Sequence, residues 1–169
     1  MYLNVNDKMN QLPPEFQELN ISTVREEFLK SEKTIVVLDD DPTGTQTCYE
    51  VTVLTSWSVN LITQELAKKP DILFILTNSR SLAEQDAVQL ALEIGHNLKE
   101  AAKRSSREII VISRSDSTLR GHFPAEVDAI ATALNMKEAI TVLIPAFIEG
   151  GRYTIDDVHY IAEKDQLLP

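Results

Sequence analysis

The chain predicts an α/β fold: a three-layer sandwich with a mainly parallel sheet of about five strands, helices on both faces, and a C-terminal β-hairpin. Three observations predict it. Short apolar, largely β-branched runs at residues 35–38, 51–55, 72–76, 109–112 and 140–144 alternate with segments of helical periodicity, the pattern of βαβ units. Several of these runs are continuously apolar rather than alternating, as in strands buried on both faces. Most end abruptly in polar loops, at the carboxyl ends of strands where open α/β sheets bind ligands.

In chain order, residues 1–33 read as a helical lead-in and 34–169 as one domain. Residues 1–10 are polar and expected to be loose. Pro13 and Pro14 open a short helical stretch. Ser22 or Thr23 caps a second helix, Thr23 and Glu26 forming a capping box and Val24, Phe28 and Leu29 facing inward. The first strand, 35–38, runs into Asp39-Asp40-Asp41-Pro42-Thr43-Gly44-Thr45-Gln46-Thr47. After the second strand, Ser58 caps a helix that reaches Lys68 and is broken by Pro70. The third strand, 72–76, leads through Ser81-Leu82-Ala83-Glu84, a second capping box. A long helix follows, with Ala83, Ala87, Leu90, Ala91, Ile94, Leu98, Ala101 and Ala102 on its apolar stripe. Gly95 within it costs about 1 kcal/mol of helix propensity. Strand 109–112 precedes a helix started by Pro124, with Val127, Ile130, Ala131 and Leu134 buried. Strand 140–144 stops at Pro145. Residues 159–162 and 166–168 form the hairpin.

Composition bounds the function. The 169 residues include 43% hydrophobic and 25% charged side chains, enough for one α/β domain with a core. A net charge of −10 argues against a nucleic-acid partner, since phosphate backbones attract basic surfaces. One cysteine, Cys48, excludes an internal disulfide framework and a multi-cysteine metal site. No apolar run approaches the ~18–20 residues of a membrane span, and no signal-peptide core is evident, so the cytoplasm is the expected compartment.

The chemistry gathers at strand exits. Three adjacent carboxylates at 39–41 cannot be core residues without partners, because burying them unpaired costs several kcal/mol each. Of seven arginines, Arg80, Arg114, Arg120 and Arg152 lie in these loops, and all nine lysines lie elsewhere. The planar guanidinium fork suits bidentate recognition of carboxylate or phosphate. Four such forks on one face of an acidic protein point to an anionic ligand; the plainer alternative is a static network neutralising Asp39, Asp40, Asp41 and Asp116. Gly150-Gly151 permits positive φ or an anion nest, or a plain turn. Ser117 and Thr118 can bond ligand hydroxyls or cap the next helix, and His122 fits a packing role as well as a catalytic one. There is no Gly-x-x-x-x-Gly-Lys-Ser/Thr loop and no Gly-x-Gly-x-x-Gly after a strand, so no recognisable nucleotide site.

Two families share features of the opening stretch. Asp39-x-Asp41-x-Thr43 after an apolar strand, with Thr77 ending a later one, resembles the haloacid dehalogenase-like phosphatases. That resemblance implies Asp39 as nucleophile, Asp41 as acid/base and Mg²⁺ as charge clamp. It fails at the later aspartate pair, because Asp156-Asp157 does not follow an apolar strand. Broader is the resemblance of Asp40-Asp41-Pro42-Thr43-Gly44, Ser79-Arg80, Asp116-Ser117-Thr118-Leu119-Arg120-Gly121 and Pro145-Ala146-Phe147 with Gly151-Arg152, in that order, to the N-terminal domain of the four-carbon acid sugar kinase family. It runs from about Leu12 to the last residue.

This second resemblance implies the substrate-binding lobe of an ATP-dependent kinase acting on threonate- or erythronate-type sugar acids. Asp40 or Asp41 would orient or deprotonate the attacking hydroxyl. Thr43, Gly44, Ser79, Arg80, Arg114, Asp116, Ser117, Thr118, Arg120, Gly150, Gly151 and Arg152 would line the substrate site. Arg120 and Arg152 are the expected receptors of the substrate carboxylate or the transferring phosphoryl group. ATP and Mg²⁺ would serve the full-length family, bound by a separate C-terminal domain; no cofactor, and no metal site, is expected on this chain alone. The chain is thus expected to be a truncated product, split subunit or fragment needing that domain or a partner chain, without kinase activity by itself. A non-catalytic sugar-acid-binding module is the alternative of another class. The unfinished hairpin is expected to leave an open edge through which copies self-associate.

Overall fold

The computed structural model describes residues 3–14, 20–45, 48–116 and 120–169. In chain order its elements are β1 (Leu3–Asn4), α1 (Val5–Met9), α2 (Ile21–Ser31), β2 (Thr34–Asp39), β3 (Thr52–Leu54), α3 (Val59–Ala67), β4 (Ile72–Leu76), α4 (Glu84–Ser105), β5 (Ile109–Arg114), α5 (Ala125–Ala133), β6 (Arg152–Ile155), β7 (Val158–Glu163) and β8 (Gln166–Leu168). Short 3-10 turns occupy Ser79–Ser81 and Ile148–Gly150. The expected helical stretch after Pro14 and residues Gln46, Thr47, Ser117, Thr118 and Leu119 lie outside the described residues.

The α/β class and the C-terminal hairpin are borne out. β3, β4, β2 and β5 form a parallel sheet in that order, with Val36 opposite both Leu73 and Val111. Side chains alternate across a strand. On one face Val36, Leu38, Leu54, Leu73 and Ile75 pack with Ile62 and Leu66 of α3, Ile94 and Leu98 of α4, and Ile130 of α5. This is the core.

Two details of the expectation are corrected. Helices α3, α4 and α5 all pack on that one face, whereas the other face leaves Ile110 and Ile112 more than 40% exposed. α2 does not cover it with the predicted stripe: Val24 and Leu29 are exposed and only Phe28 is half-buried. The fifth strand is also absent from the sheet. Among the described residues, 140–144 join no strand ladder, Ile140 being 92% exposed, and β5 is the edge. A β-branched run becomes a strand through cross-strand packing and a ladder, and propensity alone does not supply them.

The chain's ends meet. β1 pairs antiparallel with β8, Leu3 opposite Leu167, completing a sheet of order β1-β8-β7-β6 around Ile155, Tyr160 and Leu167. Residues expected to be loose therefore supply a strand, and the β8 edge expected to be open is covered by it. Among the described residues no helix is long and apolar enough to cross a membrane.

Local signals fared unevenly. Ser58 caps α3 as expected, its hydroxyl accepting from the Leu61 amide. α2 instead starts at Asn20, whose side chain accepts from the Thr23 amide at 2.9 Å, so Ser22 and Thr23 sit inside the helix. The N-cap of α4 is Ala83 with no side-chain cap, since Ser81 is spent on the preceding turn, donating to the Asn78 carbonyl.

Gly95 is explained by packing. A Cβ there would stand 2.5 Å from the Cβ of Ala133, so the missing side chain lets α4 and α5 approach closely. Gly95→Ala should therefore destabilise the fold by about 1–3 kcal/mol by overpacking, despite alanine's better helix propensity. Denaturant unfolding checks this, and Ala133→Gly in the same chain should recover part of the loss.

Candidate functional site

Parallel pairing brings the carboxyl ends of β2, β4 and β5 to one side of the sheet, with Asp39 opposite both Leu76 and Arg114. The backbone then knits the exits together. The Thr77 amide donates to the Asp39 carbonyl at 2.8 Å, and the Arg80 and Asp40 amides donate to the carbonyls of Asp40 and Arg114 respectively. Asp39 and Asp40 are thus fixed before any side chain is considered.

Each then finds a different partner. Asp39 is 1% exposed, and Arg114 donates to its Oδ1 from Nη1 at 3.1 Å. Gly44 lies directly over the Asp39 carboxylate; any Cβ at Gly44 would overlap it. Asp40, 4% exposed, is held bidentately by Arg80, Nε to Oδ2 at 3.0 Å and Nη2 to Oδ1 at 2.6 Å. The Ser115 hydroxyl donates to the same Oδ2 at 2.8 Å. Asp41 accepts from the Thr43 amide at 2.7 Å and from the Thr43 hydroxyl, pairs with Nη1 of Arg80, and lies 3.6 Å from Nη1 of Arg114.

The loop after β5 folds back over this cluster. A Cβ at Gly121 would overlap the Ser115 hydroxyl and reach 3.1 Å from Asp40 Oδ2. Nε2 of His122 lies 3.2 Å from the Ser79 carbonyl. Arg120 forks Asp116 through Nε and Nη2 at 2.7 and 3.0 Å, its side chain mostly exposed. Behind Asp40, a cavity of about 10 Å³ lined by Leu90, Ile94, Ser113, Glu126 and Ile130 has room for at most one water.

Charge and burial set the protonation balance. Burial pushes the Asp39 carboxyl up from the ordinary range, with Arg114 opposing. The Thr43 hydroxyl bond, helped by Arg80 and Arg114, holds Asp41 below it. Hydrogen bonding to Asp40 raises Arg80, and to Asp116 raises Arg120. Asp41 is therefore ionised at neutral pH and a weak base, better suited to accepting a hydrogen bond than to removing a proton.

Of the residues singled out from sequence, Asp40, Asp41, Thr43, Gly44, Arg80 and Arg114 come together, with Asp116 and Arg120 paired on the adjacent loop. Ser79 is fully buried; it accepts from Thr77 and braces the turn, so its expected side-chain contact with substrate is not provided. Gly150, Gly151 and Arg152 belong to the turn and β6 of the antiparallel sheet, because residues 140–144 do not make the strand that would have placed them at a fifth exit. Gly151 does adopt positive φ, 67°. Ser117 and Thr118 lie outside the described residues. Ser115 and Gly121 were not among the expected site residues, although they flank the Asp116–Arg120 stretch directly.

The donor set does not fit a divalent cation. Asp39, Asp40 and Asp41 are each paired with a guanidinium, and among the described residues no group of three His, Cys, Asp or Glu is arranged to hold a metal ion. Nor does the phosphatase reading fit: a nucleophile must reach phosphorus, and Asp39 lies buried beneath Gly44.

Comparison with known proteins agrees with the second resemblance. The D-threonate kinase of Bordetella bronchiseptica is 29% identical over 138 residues, covering 77% of this chain and 33% of that protein. The D-erythronate kinase of Heliobacterium modesticaldum is 26% identical over 127 residues, covering 72% of this chain and 28% of that protein. The chain thus spans about a third of the length of these relatives. No solved structure matches it significantly. The profile of the family described as "Sugar-binding N-terminal domain" matches residues 35–168. The chain belongs to that family, and its relatives make it the counterpart of the N-terminal domain of four-carbon acid sugar kinases.

Proposed function

We propose that this chain is the substrate-binding lobe for an ATP-dependent four-carbon acid sugar kinase, taking threonate- or erythronate-type acids at the exits of β2, β4 and β5. The observation that carries the reading is the clustering of Asp40, Asp41, Arg80 and Arg114 on three neighbouring strand exits. A sugar acid offers one carboxylate to a guanidinium and several hydroxyls to carboxylate and hydroxyl groups. Asp41, ionised and less buried than Asp40, accepts from the hydroxyl to be phosphorylated and orients it. Asp40 holds Arg80 in place. Phosphoryl transfer rests mainly on positioning and charge neutralisation, which such a lobe provides for the acceptor. ATP and Mg²⁺ act from a C-terminal domain of the family, in the same chain or another.

Coupled assays test this. ATP consumption with threonate is expected only when a C-terminal family domain is present. Turnover of a generic phosphomonoester by this chain with Mg²⁺, lost on Asp39→Asn, would overturn the reading in favour of a phosphatase. Gly121→Ala should displace the Ser115 hydroxyl from Asp40 and weaken threonate binding about 5–10-fold, the loss of one charge-assisted hydrogen bond or slightly less, as read by calorimetry.

A further inference from the structure

We propose that Asp39 is a positioning residue: buried beneath Gly44, it fixes Arg114 through Nη1 so that the Nε–Nη2 edge of that guanidinium is left to receive the carboxylate of the ligand. The inference rests on the sugar-acid reading and assigns its carboxylate receptor. Asp39 stands outside the Asp40-Asp41-x-Thr43-Gly44 motif, and Asp40 and Asp41 already supply the charge that holds Arg80. A further carboxylate, 1% exposed beside two others, is a costly residue to keep unless it serves a purpose. Among the described residues its one ion-pair partner is Arg114, directly opposite on β5.

The arginines differ in what they have left to offer. Arg80 spends Nε, Nη1 and Nη2 on Asp40 and Asp41. Arg120 spends its Nε–Nη2 edge on Asp116. Arg114 donates to Asp39 from Nη1, and Nη1 also lies 3.9 and 3.6 Å from Asp40 and Asp41, while its side chain is 35% exposed. Of these three arginines, Arg114 is the one whose Nε–Nη2 edge is prepared for a bidentate carboxylate. Asp39 cannot touch that ligand itself, because Gly44 covers it. With the charge at position 39 gone, Nη1 keeps only the longer contacts, at 3.6 and 3.9 Å, and the fork loses its fixed direction.

The test is a double-mutant cycle in the full chain, read by calorimetric titration of threonate at neutral pH and by thermal melting. Asp39→Asn should weaken threonate at least 10-fold, and Arg114→Lys by a similar factor. The two together should be little worse than either alone, because both disable the same fork. Melting separates positioning from mere support. Burial raises the Asp39 carboxyl, so its ionised form weighs against folding as pH rises through the folded value, and Asp39→Asn should melt no lower than the parent. Unchanged affinity in Asp39→Asn, full additivity with Arg114→Lys, or a loss of affinity matched by a fall in melting temperature would each overturn the inference while leaving the sugar-acid reading intact. No threonate binding by the parent chain would instead overturn that reading, and this inference with it. Should Asp39→Asn fail to fold, Asp39→Leu, which removes the charge at a similar volume, provides the second arm with the same expected loss.

Discussion

Replacing Arg80 by methionine should destabilise the fold by about 3–5 kcal/mol, the cost of leaving a buried carboxylate without its partner. Asp40 is 4% exposed, and Arg80 satisfies both its oxygens in one fork. The guanidinium also spans to Asp41, so one substitution uncouples the β4 exit from two residues of the β2 exit. Arg80→Lys should recover less than half of the loss, since an ammonium meets both carboxylates as a point charge without the fork. The pH profile has a definite sign. Asp41 is held below its ordinary range, first by Thr43 and then by Arg80 and Arg114, so it contributes stability at neutral pH that is lost as pH falls through its folded value. Arg80→Met removes part of that contribution, and its stability should fall less steeply on acidification than the parent's. Denaturant unfolding at two pH values measures both effects.

Arg114→Met should lower threonate affinity at least 100-fold, about 2.7 kcal/mol, the range found when one partner of a desolvated charge pair is removed. The substitution has a second consequence in the fold. Asp39 loses the guanidinium that offsets its burial, so its carboxyl rises further and takes a proton more readily. The stability deficit of Arg114→Met should therefore shrink as pH falls, because a neutral Asp39 needs no counter-charge. A deficit constant with pH would mean that Asp39 does not depend on Arg114 for its charge.

Strands and site were legible in the sequence to different depths. The runs at 35–38 and 72–76 were plain because each is apolar on both faces and ends in residues that cannot be buried alone. Ser58, followed by helical periodicity, likewise marked its own helix. Residues 140–144 carry the same composition, but forming a strand depends on docking at the β5 edge, which no local pattern encodes. β1 is invisible for the complementary reason: Leu3-Asn4 is too short and polar to read as a strand, and its ladder with β8 joins residues 3 and 167. In the site, the residue types pointed to the strand exits, and the arginine–aspartate network was foreseen as the plainer alternative. Which guanidinium pairs with which carboxylate was not legible. It depends on the parallel register that puts Arg114 opposite Asp39, and on Gly44 and Gly121, whose close approach to Asp39 and to Ser115 and Asp40 is a tertiary fact. Arg120 and Arg152, the expected anion receptors, were chosen by motif; the structure gives the first to Asp116 and puts the second on the other sheet.

Calorimetric titration of threonate and erythronate into the full chain tests the central claim most directly. Saturable one-to-one binding of at least one of the two acids is expected, weakened at least 100-fold in Arg114→Met. No heat with any four-carbon sugar acid, from a chain shown to be folded, would contradict it.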